Sequence, residues 1–126
     1  MKKTVKSFRY ALAGIIHAIA TERNFPLFLV SFGLELILAF SLGINHFEWV
    51  ILIMAGGMFL SVELLNTAIE RQSNAFSEDR HRFSASFDRG IKLTKDVAAA
   101  ASFISLLLVI SVSLIVLLPR IFPLIR

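Results

Sequence analysis

The sequence predicts an all-α integral membrane protein: an N-terminal amphipathic interface helix followed by three transmembrane helices. Three observations carry this prediction. Hydrophobic residues make up 56% of the chain and charged ones 17%, where soluble domains average about 45–50% and 25%. Apolar blocks of spanning length lie at about 26–42, 49–69 and 95–118. Most of the basic residues flank those blocks. Nothing beside the spans is long enough for a soluble domain, so residues 1–126 read as a single membrane domain.

The interface helix covers about residues 5–23. Val5, Phe8, Leu12, Ile15, Ile16 and Ile19 recur at spacings of three and four, while Lys2, Lys3, Lys6 and Arg9 decorate its start. Such a helix lies along the bilayer surface. Met1-Lys2-Lys3-Thr4 looks like the start of a signal peptide, but no apolar region follows at once and no small-residue cleavage site appears. An uncleaved chain is expected. Thr21 to Pro26 forms a bend: proline suits the first turn of a new helix and disfavours α conformation at Phe25.

The first span contains Gly33, which would allow close helix approach, and Glu35, which falls near mid-bilayer. A central acid costs about 2.5–3.5 kcal/mol on insertion scales. Glu35 should therefore face other helices; an interhelical hydrogen bond is the preferred reading over a proton or substrate contact. Gly43 to Glu48 is a short connection, and Trp49 then stands where an interfacial aromatic belongs. The second span carries Gly56-Gly57, a packing feature without the rest of a phosphate-binding loop. Arg71 to Lys92 reads as a polar loop with a short helical extension, and Pro119 and Pro123 end the third span.

Into the end of the second span the sequence places Glu63, Asn66 and Glu70. Offsets of three and seven return to one helical face, with the two acids about 10 Å apart along the axis. Ionisable groups at membrane depth are costly and are a functional site by default. Orientation follows from counting. Five Lys/Arg precede Pro26, none lies in the first connection, and six lie between Arg71 and Lys95. The positive-inside rule puts the N-terminus and the 71–95 loop in the cytoplasm and the C-terminus outside.

That topology gathers Glu22, Glu63, Asn66, Glu70, Asn74, Lys95 and Asp96 near one membrane face. Singly, each has an ordinary role: Glu22 a helix-end charge, Lys95 a snorkelling anchor, Asp96 a helix-start residue. Together, carboxylates beside a lysine match what Mg²⁺ and nucleotide phosphates require. A deeper carboxylate could accept the proton of an incoming hydroxyl. The net charge of +4 reflects topology and anionic lipid rather than nucleic acid, which is not an expected partner. The absence of cysteine excludes disulfides, cysteine-ligated metals and thiol nucleophiles.

Glu63-Leu64-Leu65-Asn66-Thr67-Ala68-Ile69-Glu70 and Lys95-Asp96-Val97-Ala98-Ala99-Ala100 resemble the prokaryotic integral-membrane diacylglycerol kinase family, which includes the undecaprenol kinases. Ser7 to Ala11 and Thr21 to Phe25 resemble its N-terminal pattern. The likeness covers nearly the whole chain. It implies an ATP-dependent lipid kinase of the bacterial inner membrane, working as a homotrimer with sites shared between subunits. By position, Glu22 and Glu70 would hold Mg²⁺ bound to ATP and Glu63 would be the general base on the lipid hydroxyl. Asn66 would orient the base or the substrate, Lys95 and Asp96 would contact the nucleotide, and Arg9 matches a basic position near the site.

Two features depart from the family. It usually has aspartate where this chain has Asn74, which implies weakened nucleotide binding, and the loop before Lys95 is several residues longer, with Phe76, Phe83 and Phe87 interspersed and no His-Pro stretch. Thr21-Glu22-Arg23-Asn24-Phe25 is more similar to the undecaprenol kinase branch, so undecaprenol is placed ahead of diacylglycerol as substrate. The alternatives are a divergent non-catalytic member and a small proton- or ion-translocating protein using Glu35 and Glu63.

Overall fold

The computed structural model describes residues 2–78 and 85–125. Among them are four helices and no strand: α1 (Lys2–Thr21), α2 (Asn24–Ser41), α3 (His46–Glu78) and α4 (Ala85–Ile125). α2, α3 and α4 are long and apolar enough to cross a membrane, as expected. At about 1.5 Å per residue, the 18 residues of α2 nearly match a hydrocarbon core of about 30 Å. The 33 residues of α3 and 41 of α4 exceed it. These two pack as an antiparallel pair, the most extensive contact between elements, and both run on from their apolar stretches into polar residues.

The turn between α2 and α3 is fixed by local chemistry. Gly43 adopts φ 61°, a left-handed conformation that costs glycine no Cβ clash. Its N–H donates to the Phe40 carbonyl at 3.2 Å and that of Ile44 to the Ala39 carbonyl at 3.5 Å, the double closure of a Schellman cap. α3 then opens with a capping box: Asn45 N–H donates to Glu48 Oε2 at 2.7 Å and Glu48 N–H to Asn45 Oδ1 at 3.0 Å. Arg120 of α4 donates to the same Oε2 at 2.8 Å and to the Gly43 carbonyl at 3.0 Å. Ala39, Ile44, Leu52, Val116 and Leu117 form the core beside this turn. The well-packed end of the molecule is thus opposite the end that carries Glu63 to Asn74.

The structure corrects five expectations. Residues 71–78 continue α3 as the helical extension expected there, but residues 85–92 are helical rather than loop; Phe76 and Phe87 meet edge to face across α3 and α4 with centroids 6.4 Å apart, so a packed pair holds a segment whose composition alone reads as coil. Phe83 and residues 79–82 of the expected loop lie outside the described residues. Pro119 and Pro123 lie inside α4 and do not end it; Arg120, anchored on α3 and the turn, holds that part of the chain in place. Phe25 is helical and buried despite the following proline, because Pro26 falls in the first turn of α2, where its missing N–H has no acceptor to lose. A Cβ on Gly33 would meet nothing within 4 Å, whereas one on Gly56 would fall on the Phe32 ring, so the close approach is at Gly56. Finally, Glu35 makes no interhelical hydrogen bond: its Oε1 is buried without a partner among the described residues, beside a cavity of about 270 Å³ walled by Phe28, Phe32, Phe59 and Ser113.

Candidate functional site

Glu63 lies on the face of α3 turned to α4 and is buried, 8% exposed. Ser102 of α4, equally buried, donates its hydroxyl to Glu63 Oε2 in a short hydrogen bond. One turn further along α3, Asn66 presents a buried Oδ1 that finds no donor among the described residues. A buried carbonyl left unpaired costs about 1–3 kcal/mol. Two turns beyond, Asn74 Oδ1 accepts from Lys95 Nζ at 2.9 Å. The facing pairs Glu63–Ser102 and Asn74–Lys95 run in opposite directions along the two helices, as their antiparallel register requires.

α1 and α2 bring in Glu22. α1 ends at Thr21 and α2 begins at Asn24, leaving Glu22 at the elbow between them. Its Oε1 accepts from Arg71 of α3, from Nη2 at 2.7 Å and Nε at 3.2 Å. Arg71 also donates to the Thr21 hydroxyl. Arg71 is the neighbour of Glu70, so the elbow is held at the level of the second acid of the stripe. Glu70 is half-buried and takes no hydrogen bond among the described residues.

Two grooves flank this region. One of about 440 Å³ runs between α1 and α3, past Tyr10, His17, Leu64, Thr67 and Arg71. Another of about 510 Å³ lies between α3 and α4, walled by Ser73, Phe76, Phe87 and Thr94.

A sequence model of the prokaryotic diacylglycerol kinases matches residues 9–117. The chain belongs to that family. It is 33% identical over 121 residues to the undecaprenol kinase of Bacillus subtilis, covering 95% of this chain and 92% of that one. It is 34% identical over 116 residues to a diacylglycerol kinase of Synechocystis, covering 90% of this chain and 61% of the relative. A diacylglycerol kinase of Pseudomonas aeruginosa is 31% identical over 106 residues, covering 84% and 80%. Membership and the three apolar helices make this a bacterial membrane protein, and the family's names indicate a lipid kinase.

For this diacylglycerol kinase family member, the folded chain joins some expected site residues and leaves others apart. Lys95 meets Asn74, and Glu22 is tied to Arg71, the residue that follows Glu70. Arg9 on α1 and Asp96 on α4 are exposed, with no ion pair among the described residues. Nor do the described residues contain a group of three or more His, Asp or Glu placed to hold a metal. The donor chemistry nevertheless suits Mg²⁺, which commonly takes one or two carboxylates and completes its shell with phosphate oxygens and water. Glu22 and Glu70 supply that number, with Arg71 standing as the cation on Glu22 in the protein alone.

Ser102 and Arg71 were not among the residues expected from sequence. A hydroxyl seven positions after Lys95, hence on the same face of an apolar helix, was the available signal for Ser102. Arg71 gave none that distinguished it from the other basic residues of its segment.

Proposed function

We propose that the protein is an ATP-dependent lipid kinase that transfers the γ-phosphate to the hydroxyl of a membrane lipid, undecaprenol ahead of diacylglycerol. The observation that carries this reading is Glu63: a buried carboxyl group oriented by Ser102, one turn from an unpaired Asn66 carbonyl, on the helix that also bears Glu70. Glu63 takes the lipid hydroxyl's proton as that oxygen bonds to the γ-phosphorus. The bond from phosphorus to the β–γ bridging oxygen breaks, and ADP carries that oxygen away. Asn66 positions the hydroxyl. Lys95 and Asp96 contact the nucleotide, with the lysine on its phosphates and Asn74 as its present partner; Arg9 adds positive charge nearby. Glu22 and Glu70 would hold Mg²⁺, which neutralises phosphate charge when bound. Phosphoryl transfer rests on positioning and charge neutralisation, and these residues divide that work by depth.

In this reading α1 lies along the cytoplasmic surface of the inner membrane, the Glu70 end of α3 faces the cytosol, and the C-terminus is outside. The assembly is a homotrimer with sites shared between neighbours, which would bring to one site residues that a single chain leaves apart. The test is transfer of label from γ-labelled ATP to a panel of isoprenols and diacylglycerols in defined micelles. Glu63→Gln is expected to lower turnover about 10²–10⁴-fold. Robust turnover in that variant would remove Glu63 from the role of base.

A second reading, a non-catalytic family member, draws on the Arg71–Glu22 pair and on Asn74. It predicts no binding of Mg-ATP at millimolar concentration.

A further inference from the structure

We propose that Ser102 is the positioning residue for Glu63, holding its carboxyl group at one oxygen so that the other meets the substrate hydroxyl. This inference rests on the lipid-kinase reading. A serine in an apolar helix ordinarily satisfies its hydroxyl on its own helix. Ser105, Ser111 and Ser113 of α4 do so, donating to the carbonyls of Ser102, Leu107 and Val109 at 2.8, 2.8 and 2.7 Å. Ser102 instead donates across the helix pair, 39 residues away in sequence, to Glu63 Oε2. Its neighbours Ala98, Ala99, Ala100, Ala101 and Phe103 carry no donor. Among the described residues, Glu63 thus has one side-chain partner, and Oε2 is the oxygen engaged.

Glutamate has three freely rotating side-chain bonds, and its usefulness as a base depends on where the free oxygen points. Burial restricts the side chain, but the Ser102 hydroxyl selects an orientation by fixing one carboxyl oxygen. Oε1 is left to accept the proton of the lipid hydroxyl, while Oε2 stays on α4. The hydroxyl touches no reacting atom; it acts through Glu63.

The test compares Ser102→Ala and Ser102→Thr with the wild-type protein in the labelled-ATP assay. Loss of orientation predicts a fall in kcat of about 10–100-fold in Ser102→Ala, with KM for ATP and for lipid within about two-fold of wild type. Ser102→Thr keeps the hydroxyl and should recover most of the loss, and Ser111→Ala should match wild type. Full kcat in Ser102→Ala overturns the proposal. Equal losses in the alanine and threonine variants overturn it in favour of packing, and a raised lipid KM with unchanged kcat overturns it in favour of direct substrate contact. Wild-type turnover separates the two claims. An active wild type with an unaffected Ser102→Ala sinks the positioning role alone, whereas a wild type that phosphorylates no lipid in the panel sinks the kinase reading and this inference with it.

Discussion

Arg71 reaches 49 residues back along the chain to close on Glu22, its Nη2 2.7 Å from Oε1. The contact ties the elbow between α1 and α2 to the end of α3, beside Glu70. Both side chains are about a third exposed, 36% and 31%, so solvent screens the pair and its worth is about 1 kcal/mol or less. Arg71→Ala is therefore expected to leave the bundle folded while loosening the elbow by up to about five-fold in local opening. Tryptic cleavage after Arg23 in detergent micelles reads this directly, and an unchanged rate would argue against the tether.

The same pair bears on the proposed metal site. With Arg71 removed, the Glu22 carboxyl group loses its resident cation, so Mn²⁺ used as a magnesium substitute should bind more tightly to Arg71→Ala. Electron paramagnetic resonance titration without nucleotide measures this. Weaker binding in the variant would show that Arg71 supports the site instead of competing for it.

Gly56 is the place where α3 admits the Phe32 ring of α2. Gly56→Ala puts a methyl group where that ring lies and should destabilise the bundle by about 1–3 kcal/mol. Phe32→Leu in the same chain should recover part of the loss, and a double-mutant cycle of thermal unfolding measures the coupling. Additive effects would mean the two residues do not meet.

Glu48 serves two structures at once, closing the capping box on Asn45 and receiving Arg120. Glu48→Ala should cost about 1–2 kcal/mol, more than Arg120→Ala, which leaves the capping box intact. If Arg120→Ala costs more, the anchoring of α4 at the turn outweighs the cap.

Glu35 leaves a carboxyl oxygen buried without a partner at the height of an apolar cavity lined by three phenylalanines. Replacing it with leucine removes the unpaired oxygen and should raise thermal stability, by about 1–3 kcal/mol. A loss of stability would show that another chain supplies the missing partner.

Sequence alone determined the features set by local periodicity and composition. The three spans follow from long, predominantly apolar runs, and the shared face of Glu63, Asn66 and Glu70 follows from helical spacing. The likeness of that segment to the diacylglycerol kinases was legible for the same reason, since it is a contiguous string. Tertiary structure decided whatever depended on how one helix registers against another. Ser102 finds Glu63 across 39 residues, and Arg71 finds Glu22 across 49; no local rule ranks either above its neighbours. The polar residues after 84 read as loop because their composition is that of loops, yet the pairing of α3 with α4 keeps them helical ahead of the span. Pro119 and Pro123 obey the same logic in reverse. Proline marks a stop where a helix stands alone, and here α4 continues through both while Arg120 is held on α3 and the preceding turn.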